Sequence, residues 1–254
     1  NTLNIFLRFI YDIIMYNYLI KGDKMKFDLV LFDIDGTLLD FDLAEKNALA
    51  DTLKEYNFIC NNEILNRYHE INIFYWKQLE KGLIDKKQLA YKRYEQLFLE
   101  YGIKTDIDTF NFKYRNRLKE GAYLLDNAME ICKELHTNKI KLGVASNGGN
   151  DIQIRRIRKI GLDRYLDYIF VSEEIGYNKP HKKYFEHIFT KVGKMPKEKI
   201  MMVGDSLTAD IQGGKNAGIM TCWYNPKGET GMKNIRPDYE IKDLLELRKI
   251  IGIA

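Results

Sequence analysis

FDLVLFDIDGT, residues 27–37, joins an apolar segment to an acidic turn and carries the strongest structural signal in this chain. Its apolar part is rich in branched and aromatic residues, which is typical of a buried central strand. Open α/β sheets bind ligands beyond the carboxyl ends of their strands. Because side chains alternate along a strand, Asp33 and Asp35 can face one ligand together while Ile34 points away.

The groups in this turn suit metal-assisted chemistry. Carboxylates bind divalent cations, and a carboxylate can also act as a nucleophile. Gly36 allows a sharp turn and a close approach of the backbone to a ligand, and Thr37 adds a hydroxyl group. An ordinary acidic β-turn is the alternative, because Asp, Gly and Thr are common in turns. The rest of the chain has to distinguish the two interpretations.

Length and composition indicate a globular protein with one large domain, or a core with a smaller appendage. The 254 residues are 45% hydrophobic and 30% charged, with a formal net charge of +4. The sequence has no cluster of basic and aromatic residues of the kind that binds nucleic acid. The basic pairs Arg155-Arg156 and Arg158-Lys159 are predicted to form a solvated helix face. The three cysteines form no Cys-x-x-Cys pair, which favours a reduced, cytoplasmic protein without disulfides or zinc.

Residues 1–24 form a separate and mostly apolar segment of unknown role. Arg8 and Asp12 interrupt it, and a charge near the centre of a bilayer costs about 2.5–3.5 kcal/mol. The segment also lacks the basic start and the cleavage site of a signal peptide. It is an extension upstream of a true start at Met25, an amphipathic helix that docks elsewhere, or a membrane anchor. We favour the first, because Met25 directly precedes the strand described above.

Residues 41–120 are predicted to form an all-helical insert. Apolar residues recur at three- and four-residue spacing in residues 43–56, 63–79, 86–101 and 107–118. Strands and helices then alternate, as in a mostly parallel sheet with helices on both faces. The further strands are predicted at residues 140–145, 168–171, 199–203 and 219–224, and a closing helix at residues 241–251.

Polar residues follow three of the later strands. Ser146 and Asn147 precede two glycines and could cradle a phosphate, although helix capping is the more common use of such residues. Lys179 could neutralise a phosphoryl oxygen, or it is a surface lysine. Asp205 is placed to bind a cation beside Asp33, whereas Asp210 begins a helix, where acidic residues are favoured in any case.

Together these segments resemble the haloacid dehalogenase-like superfamily. Its signature is Asp-x-Asp-x-Thr, then Ser or Thr, then Lys, then Gly-Asp-x-x-x-x-Asp, each after a strand. The chain supplies it in order between residues 27 and 224, as Asp33/Asp35/Thr37, Ser146, Lys179 and Asp205/Asp210. Residues 146–148, 172–176, 178–180, 202–206 and 222–225 are similar to the bacterial pyrimidine 5'-nucleotidase branch, as are Trp76-Lys77 and Arg93-Tyr94.

The resemblance implies an α/β, Rossmann-like core of residues 25–40 and 121–254 and a helical cap of residues 41–120. It implies that Asp33 is the nucleophile, forming an aspartyl-phosphate, and that Asp35 protonates the leaving group and then activates water. Mg²⁺ would be bound by Asp33, Asp205 and the backbone carbonyl of Asp35, and Lys179 would add positive charge. The implied phosphate-binding residues are Gly36, Thr37, Ser146, Asn147 and Lys179, with Asp210 in support.

The implied activity is hydrolysis of nucleoside 5'-monophosphates, pyrimidine ones above all and including non-canonical ones. The alternatives are a sugar-phosphate phosphatase or phosphomutase of the same superfamily, and a non-catalytic binding protein on this fold. We expect a monomer or weak dimer that binds a small phosphate monoester and neither nucleic acid nor membrane, although a tethered enzyme remains an alternative. Trp76, Tyr75 and Arg93 could contact a base or ribose, although aromatic residues at helical spacing usually belong to a core.

Overall fold

The computed structural model describes residues 26–253, and at its centre lies a six-stranded parallel sheet. The strands are β1 (Leu29–Phe32), β2 (Lys141–Ser146), β3 (Tyr168–Val171), β4 (Ile200–Gly204), β5 (Met220–Tyr224) and β6 (Tyr239–Ile241). Their order is β3-β2-β1-β4-β5-β6, with every pair parallel. The chain therefore reverses its direction across the sheet at β1, which is where such sheets bind ligands. The predicted α/β, Rossmann-like fold is confirmed.

Strand β1 is buried on both faces, which explains its continuous apolar sequence. Val30 and Phe32 pack into one core cluster, and Leu29 and Leu31 pack into another on the opposite face. None of these four side chains is exposed. The strand that carries the acidic turn is thus fixed by packing from both sides of the sheet.

Helices cover both faces of the sheet. Those outside the predicted insert are α5 (Ala128–Thr137), α6 (Asn150–Lys159), α7 (Ser172–Ile175), α8 (Lys182–Val192), α9 (Gln212–Ala217) and α10 (Leu247–Ile251). Helix α5 contributes Ile131 and Leu135 to the first core cluster, whereas α8 contributes Phe185 and Ile188 to the second. The apolar faces of these helices therefore complete the two cores of the sheet.

The first four of the five described helices between β1 and β2 share a core of their own. They are α1 (Phe41–Glu55), α2 (Asn62–Glu80), α3 (Lys86–Tyr101) and α4 (Ile107–Leu118), and we call them the helical insert. Each follows an Asp or Asn side chain that accepts a hydrogen bond from the first turn, as helix starts require. Tyr68, Tyr94 and Tyr114 are fully buried in the core of the insert. That the insert acts as a separate cap domain stays a prediction.

The end of the chain differs from the predicted helix over residues 241–251. Residue 241 ends strand β6, a short turn of 3₁₀ helix covers Leu244–Glu246, and α10 covers only the last five predicted residues. The Asp243 side chain accepts a hydrogen bond from the N–H of Leu245, and the N–H of Asp243 donates to the side chain of Glu246, so the helix starts late. An edge strand of three residues is too short to show an alternating pattern.

No helix among residues 26–253 is long and apolar enough to cross a membrane. The three interpretations of residues 1–24 lie outside the described residues and stay predictions.

Candidate active site

Three carboxylates converge beyond the carboxyl ends of β1 and β4. Asp33 directly follows β1, Asp205 directly follows β4, and Asp210 lies in the π-helical turn that comes next. One oxygen from each carboxylate lies within 4.8 Å of the other two. Strands β1 and β4 are hydrogen-bonded neighbours, so their ends meet at one edge of the sheet. The structure thus brings these three predicted residues together.

Lys179 is the cation at the centre of this cluster. The residue is 1% exposed, and its Nζ lies 2.6 Å from Oδ1 of Asp33 and 2.7 Å from Oδ1 of Asp210. It also donates to the backbone carbonyl of Ala145. Burial alone would lower the pKa of Lys179, but Asp210 and Asp33 raise it above its ordinary value. The ammonium group is therefore charged at neutral pH, and the alternative of a surface lysine is excluded.

In the described part of the chain, the cluster contains three carboxylates but a single ammonium group, and this excess of negative charge affects the pKa values of the carboxylates. Burial raises the pKa of Asp33 well above its usual range, and Lys179 offsets only part of that effect. Burial and the nearby charge of Asp210 raise the pKa of Asp205 to about 7, although Asp205 opens to solvent and is partly screened. A divalent cation would relieve this repulsion, and an all-oxygen donor set is the kind that Mg²⁺ prefers. The residues present therefore fit Mg²⁺.

Asp35 faces the same cavity but has different partners. Nε2 of Gln153 donates to Oδ2 of Asp35 at 2.6 Å, and the guanidinium of Arg156 donates to Oδ1. Arg156 is fully buried, so the prediction of a solvated basic face is wrong for this residue. Its neighbour Arg155, by contrast, has a side chain that is 58% exposed. A buried arginine is rare without a charged partner, and here that partner is Asp35.

Gly36 and Thr37 shape the turn and hold Asp205. Gly36 has a φ of +85°, and a Cβ at this position would lie 2.6 Å from Oδ2 of Asp205. The N–H of Gly36 donates to the carbonyl of Leu39 at 2.8 Å. The hydroxyl of Thr37 lies 3.2 Å from Oδ1 of Asp205 and accepts from its backbone N–H at 3.1 Å. These groups have partners within the protein, and phosphate binding by Gly36 and Thr37 stays a prediction.

Ser146 is the last residue of β2, Asn147 follows it, and both line the cavity beside the carboxylates. The hydroxyl oxygen of Ser146 accepts from the N–H of Gly148 at 3.1 Å and from Gln153 at 2.9 Å. The side chain of Asn147 is paired with the backbone of Lys179, donating to its carbonyl at 2.9 Å and accepting from its N–H at 2.8 Å. The Asn147 side chain thus positions Lys179, and phosphate binding by Ser146 and the Asn147 backbone stays a prediction.

A cavity of about 550 Å³ connects this cluster to the helical insert. Such a volume suits a small-molecule ligand. The wall opposite the carboxylates comes from one face of α2 and is formed by His69, Asn72, Ile73, Trp76, Lys77 and Glu80. Lys77 and Glu80 both contact the hydroxyl of Thr208 at 2.6 Å, so this end of α2 touches the segment after β4.

The predicted specificity residues occupy different positions. Trp76 is half-buried and lines the cavity. Arg93 is 7% exposed and does not line it, because its guanidinium is buried in the insert and donates to Asn72 and to the hydroxyl of Tyr94, each at 3.0 Å. Tyr75 packs against the core of the insert. Of the three, only Trp76 is placed where it could touch a ligand.

No sequence pattern indicated the polar pair formed by His69 and Glu45. His69 lines the cavity, and its Nδ1 lies 2.7 Å from Oε2 of Glu45, which is 1% exposed. The hydrogen bond to Glu45 raises the pKa of His69. Because Nδ1 is engaged with Glu45, Nε2 is the ring nitrogen that remains for a ligand. The sequence around His69 does not reveal this pair, because its partner Glu45 lies on a different helix.

We expect Gly36→Ala to damage the site more than Gly176→Ala. Both glycines have nearly the same φ, +85° and +84°, but a Cβ at Gly176 would meet nothing within 4 Å. Each variant should lose about 1–2 kcal/mol in the free energy of unfolding from the left-handed backbone. Gly36→Ala should lose about 1–3 kcal/mol more by displacing Asp205. Urea unfolding measures both losses, and Mg²⁺ titration should show weakened binding for Gly36→Ala alone. Equal losses in the two variants would contradict this role of Gly36.

Comparisons with known proteins agree with this geometry. The sequence profile of a family described as haloacid dehalogenase-like hydrolase matches residues 30–224. HAD-hydrolase YfnB of Bacillus subtilis is 37% identical over 228 residues, which cover 90% of this chain and 97% of that one. The crystal structure of YfnB bound to magnesium matches with a TM-score of 0.86 and covers 90% of this chain and 100% of that one.

Two further relatives are named for an activity. Pyrimidine 5'-nucleotidase PynA of Streptococcus pneumoniae is 37% identical over 225 residues, which cover 87% of this chain and 95% of that one. Pyrimidine 5'-nucleotidase YjjG of Escherichia coli is 30% identical over 227 residues, which cover 89% of this chain and 99% of that one. The similarity to both proteins extends over nearly their whole length.

Proposed function

The chain belongs to the haloacid dehalogenase-like hydrolase family and is a phosphatase of that family, and we propose that it hydrolyses nucleoside 5'-monophosphates with Mg²⁺, pyrimidine ones best. One observation carries the chemistry: Asp33 is paired with a buried lysine, and Asp35 faces the same cavity. A nucleophile and a proton donor two residues apart are what a phosphate monoester needs. The names of the two nucleotidase relatives support the choice of substrate.

In the proposed reaction, a carboxylate oxygen of Asp33 attacks phosphorus while the bond from phosphorus to the ester oxygen breaks. Asp35 gives its proton to that ester oxygen, which leaves as an alcohol. A water molecule then attacks phosphorus and passes a proton to Asp35, and the bond from phosphorus to Asp33 breaks. Inorganic phosphate leaves, and Asp33 is again a carboxylate. Lys179 offsets negative charge on Asp33 and the phosphoryl oxygens throughout.

We propose that Mg²⁺ is held by Asp33, Asp205 and the backbone carbonyl of Asp35. When bound, it supplies positive charge to the phosphoryl oxygens, which lowers the barrier to attack by a carboxylate. Asp210 supports this arrangement from behind. One of its oxygens lies 2.7 Å from Nζ of Lys179, and the other accepts from the N–H of Ser206 at 3.0 Å. Both of its oxygens are thus engaged, which favours a supporting role over a ligand role.

The leaving group would lie against the α2 wall of the cavity. Trp76 offers a flat aromatic surface on which a base can stack, and Nε2 of His69 offers one polar contact. A pyrimidine ring has both an apolar face and polar edges, so it suits this pair of side chains. Arg93 would act behind this wall, through its hydrogen bond to Asn72. Its predicted direct contact with substrate is not supported by its position.

A phosphate-release panel with Mg²⁺ tests this function. It includes pyrimidine and purine nucleoside monophosphates, their deoxy forms and several sugar phosphates. We expect the pyrimidine nucleotides to give the highest kcat/KM, with activity lost on chelation and restored by Mg²⁺ better than by the larger Ca²⁺. A preference for sugar phosphates, or an isomerised product, would favour the sugar-phosphate enzymes instead. Ligand binding without turnover on the whole panel would indicate a non-catalytic protein.

A further inference from the structure

We propose that Gln153 and Arg156 of α6 form a clamp that positions Asp35 for proton transfer. This inference rests on the proposed phosphatase chemistry, in which Asp35 serves both half-reactions. Gln153 and Arg156 are positioning residues, because they touch Asp35 and not the reacting atoms. Neither residue belongs to the four signature segments.

Each carboxylate oxygen of Asp35 has its own donor in the clamp. Nε2 of Gln153 lies 2.6 Å from Oδ2, and Nη1 of Arg156 donates to Oδ1. The two clamp residues are three positions apart on α6 and therefore share one face of the helix. Nη1 of Arg156 also lies 3.2 Å from Oε1 of Gln153, so each side chain restrains the other. The plane of the Asp35 carboxylate is thus fixed at both of its oxygens.

The clamp leaves Asp35 able to exchange a proton on its open side. An ionised carboxylate has about four lone-pair directions, and the two clamp bonds use one on each oxygen. The Asp35 side chain is 24% exposed and lines the cavity, whereas Gln153 and Arg156 are 1% and 0% exposed. The clamp therefore holds Asp35 from the protein side, and the remaining lone pairs are left for a proton on the cavity side.

The clamp is anchored at two other points of the site. Nε of Arg156 donates to the backbone carbonyl of Gly121 at 2.7 Å, in the segment that follows the helical insert. Nε2 of Gln153 also donates to the hydroxyl oxygen of Ser146 at 2.9 Å. The position of Asp35 is thereby tied to the end of the insert and to Ser146, which lines the cavity.

Stability alone does not explain the buried arginine. Removing a guanidinium from water is costly, and apolar replacements of buried ion pairs are often neutral or stabilising. Among the described residues, Nη2 of Arg156 has no hydrogen-bond partner, so the packing does not repay the full cost. Asp35 is the one ionisable group that Arg156 contacts directly within residues 26–253, and control of Asp35 gives a reason for Arg156 to be buried here.

The clamp should matter only for steps in which Asp35 moves a proton. Alkyl phosphates need a proton on the leaving oxygen, whereas 4-nitrophenyl phosphate releases a stable anion without one. Attack of water on the phosphorylated Asp33 needs Asp35 with either substrate. A misplaced Asp35 should therefore spare the first turnover of 4-nitrophenyl phosphate and slow every later one.

The test is rapid mixing of 4-nitrophenyl phosphate and Mg²⁺ with Gln153→Leu, Arg156→Met and Arg156→Lys. We expect all three to release one nitrophenolate per folded site at the wild-type rate. Later turnovers should slow by about 100-fold in Gln153→Leu and Arg156→Met, the effect expected when a catalytic group is misplaced by about an ångström. Arg156→Lys should slow them less, because its ammonium group can still donate a hydrogen bond to Asp35. The control is Arg155→Met, the exposed neighbour on the same helix, which should match the wild type in both phases.

A clamp that is only structural would behave differently. It would lower the size of the first phase in proportion to the folded fraction, measured by circular dichroism, and leave the rate per folded site unchanged. That result, or equal slowing of both phases, would overturn the proposal. If Arg156→Met fails to fold, the result for Gln153→Leu decides between the two roles, because this variant removes no charge and should still fold. A wild-type protein that releases no phosphate from any ester would instead refute the proposed function itself.

Discussion

Asp33→Asn is expected to lower kcat by about 10⁴-fold or more, the usual scale for loss of a covalent nucleophile. The amide has nearly the same size as the carboxylate, but it cannot attack phosphorus as an anionic oxygen can. Lys179 keeps its ion pair with Asp210 at 2.7 Å, so the buried ammonium group retains a partner and we expect the variant to fold. The loss should appear in phosphate release from nucleotides and from 4-nitrophenyl phosphate alike.

The matched control for this variant is Asp28→Asn. Asp28 lies just before the opposite end of β1 and is exposed. It should therefore keep wild-type turnover and thermal stability. Asp33→Asn should melt close to the wild type, and Mg²⁺ binding followed by calorimetry should weaken because a neutral amide oxygen replaces a charged ligand. A folded Asp33→Asn protein with turnover comparable to the Asp28→Asn control would show that another residue attacks phosphorus.

Asp35→Asn is expected to have the second-largest effect, because it removes proton transfer from both half-reactions. General acid–base catalysis contributes about 10²–10⁴-fold, so kcat for nucleotides should fall by about 10³-fold. The first turnover of 4-nitrophenyl phosphate should remain fast, because its leaving group needs no proton. A stopped-flow record with each ester measures the two phases. Equal losses in the first turnover of both esters would contradict the acid role of Asp35.

The parts of this protein that local sequence signals determine are the parts that could be predicted. The helices of the insert begin at capping side chains such as Asp85, whose N–H and side chain pair with Gln88, and α3 is followed by Gly102 in a left-handed conformation. The strands β1 and β4 are each followed directly by an acidic residue. Because parallel strands align their carboxyl ends, the order of these residues along the chain was enough to predict that Asp33 and Asp205 meet.

The features that could not be predicted depend on contacts between distant elements. Arg156 lies in a run of basic residues, and only its tertiary partner Asp35 distinguishes it from the exposed Arg155. The pairing of His69 with Glu45 joins two helices of the insert. The hydroxyl of Thr37 contacts Asp205, a residue far away in the sequence. Hydrophobic periodicity carries no information on any of these choices.

The role of Asp33 is tested most directly by isolating the phosphorylated protein. Asp35→Asn should accumulate it, because 4-nitrophenyl phosphate can still phosphorylate Asp33 while water attack is slow. The measurement is acid quenching during turnover with Mg²⁺, followed by peptide mass spectrometry. One phosphoryl group on Asp33 per released nitrophenolate is the predicted result. Nitrophenolate release with an unmodified Asp33, or with the phosphoryl group on another residue, would contradict it.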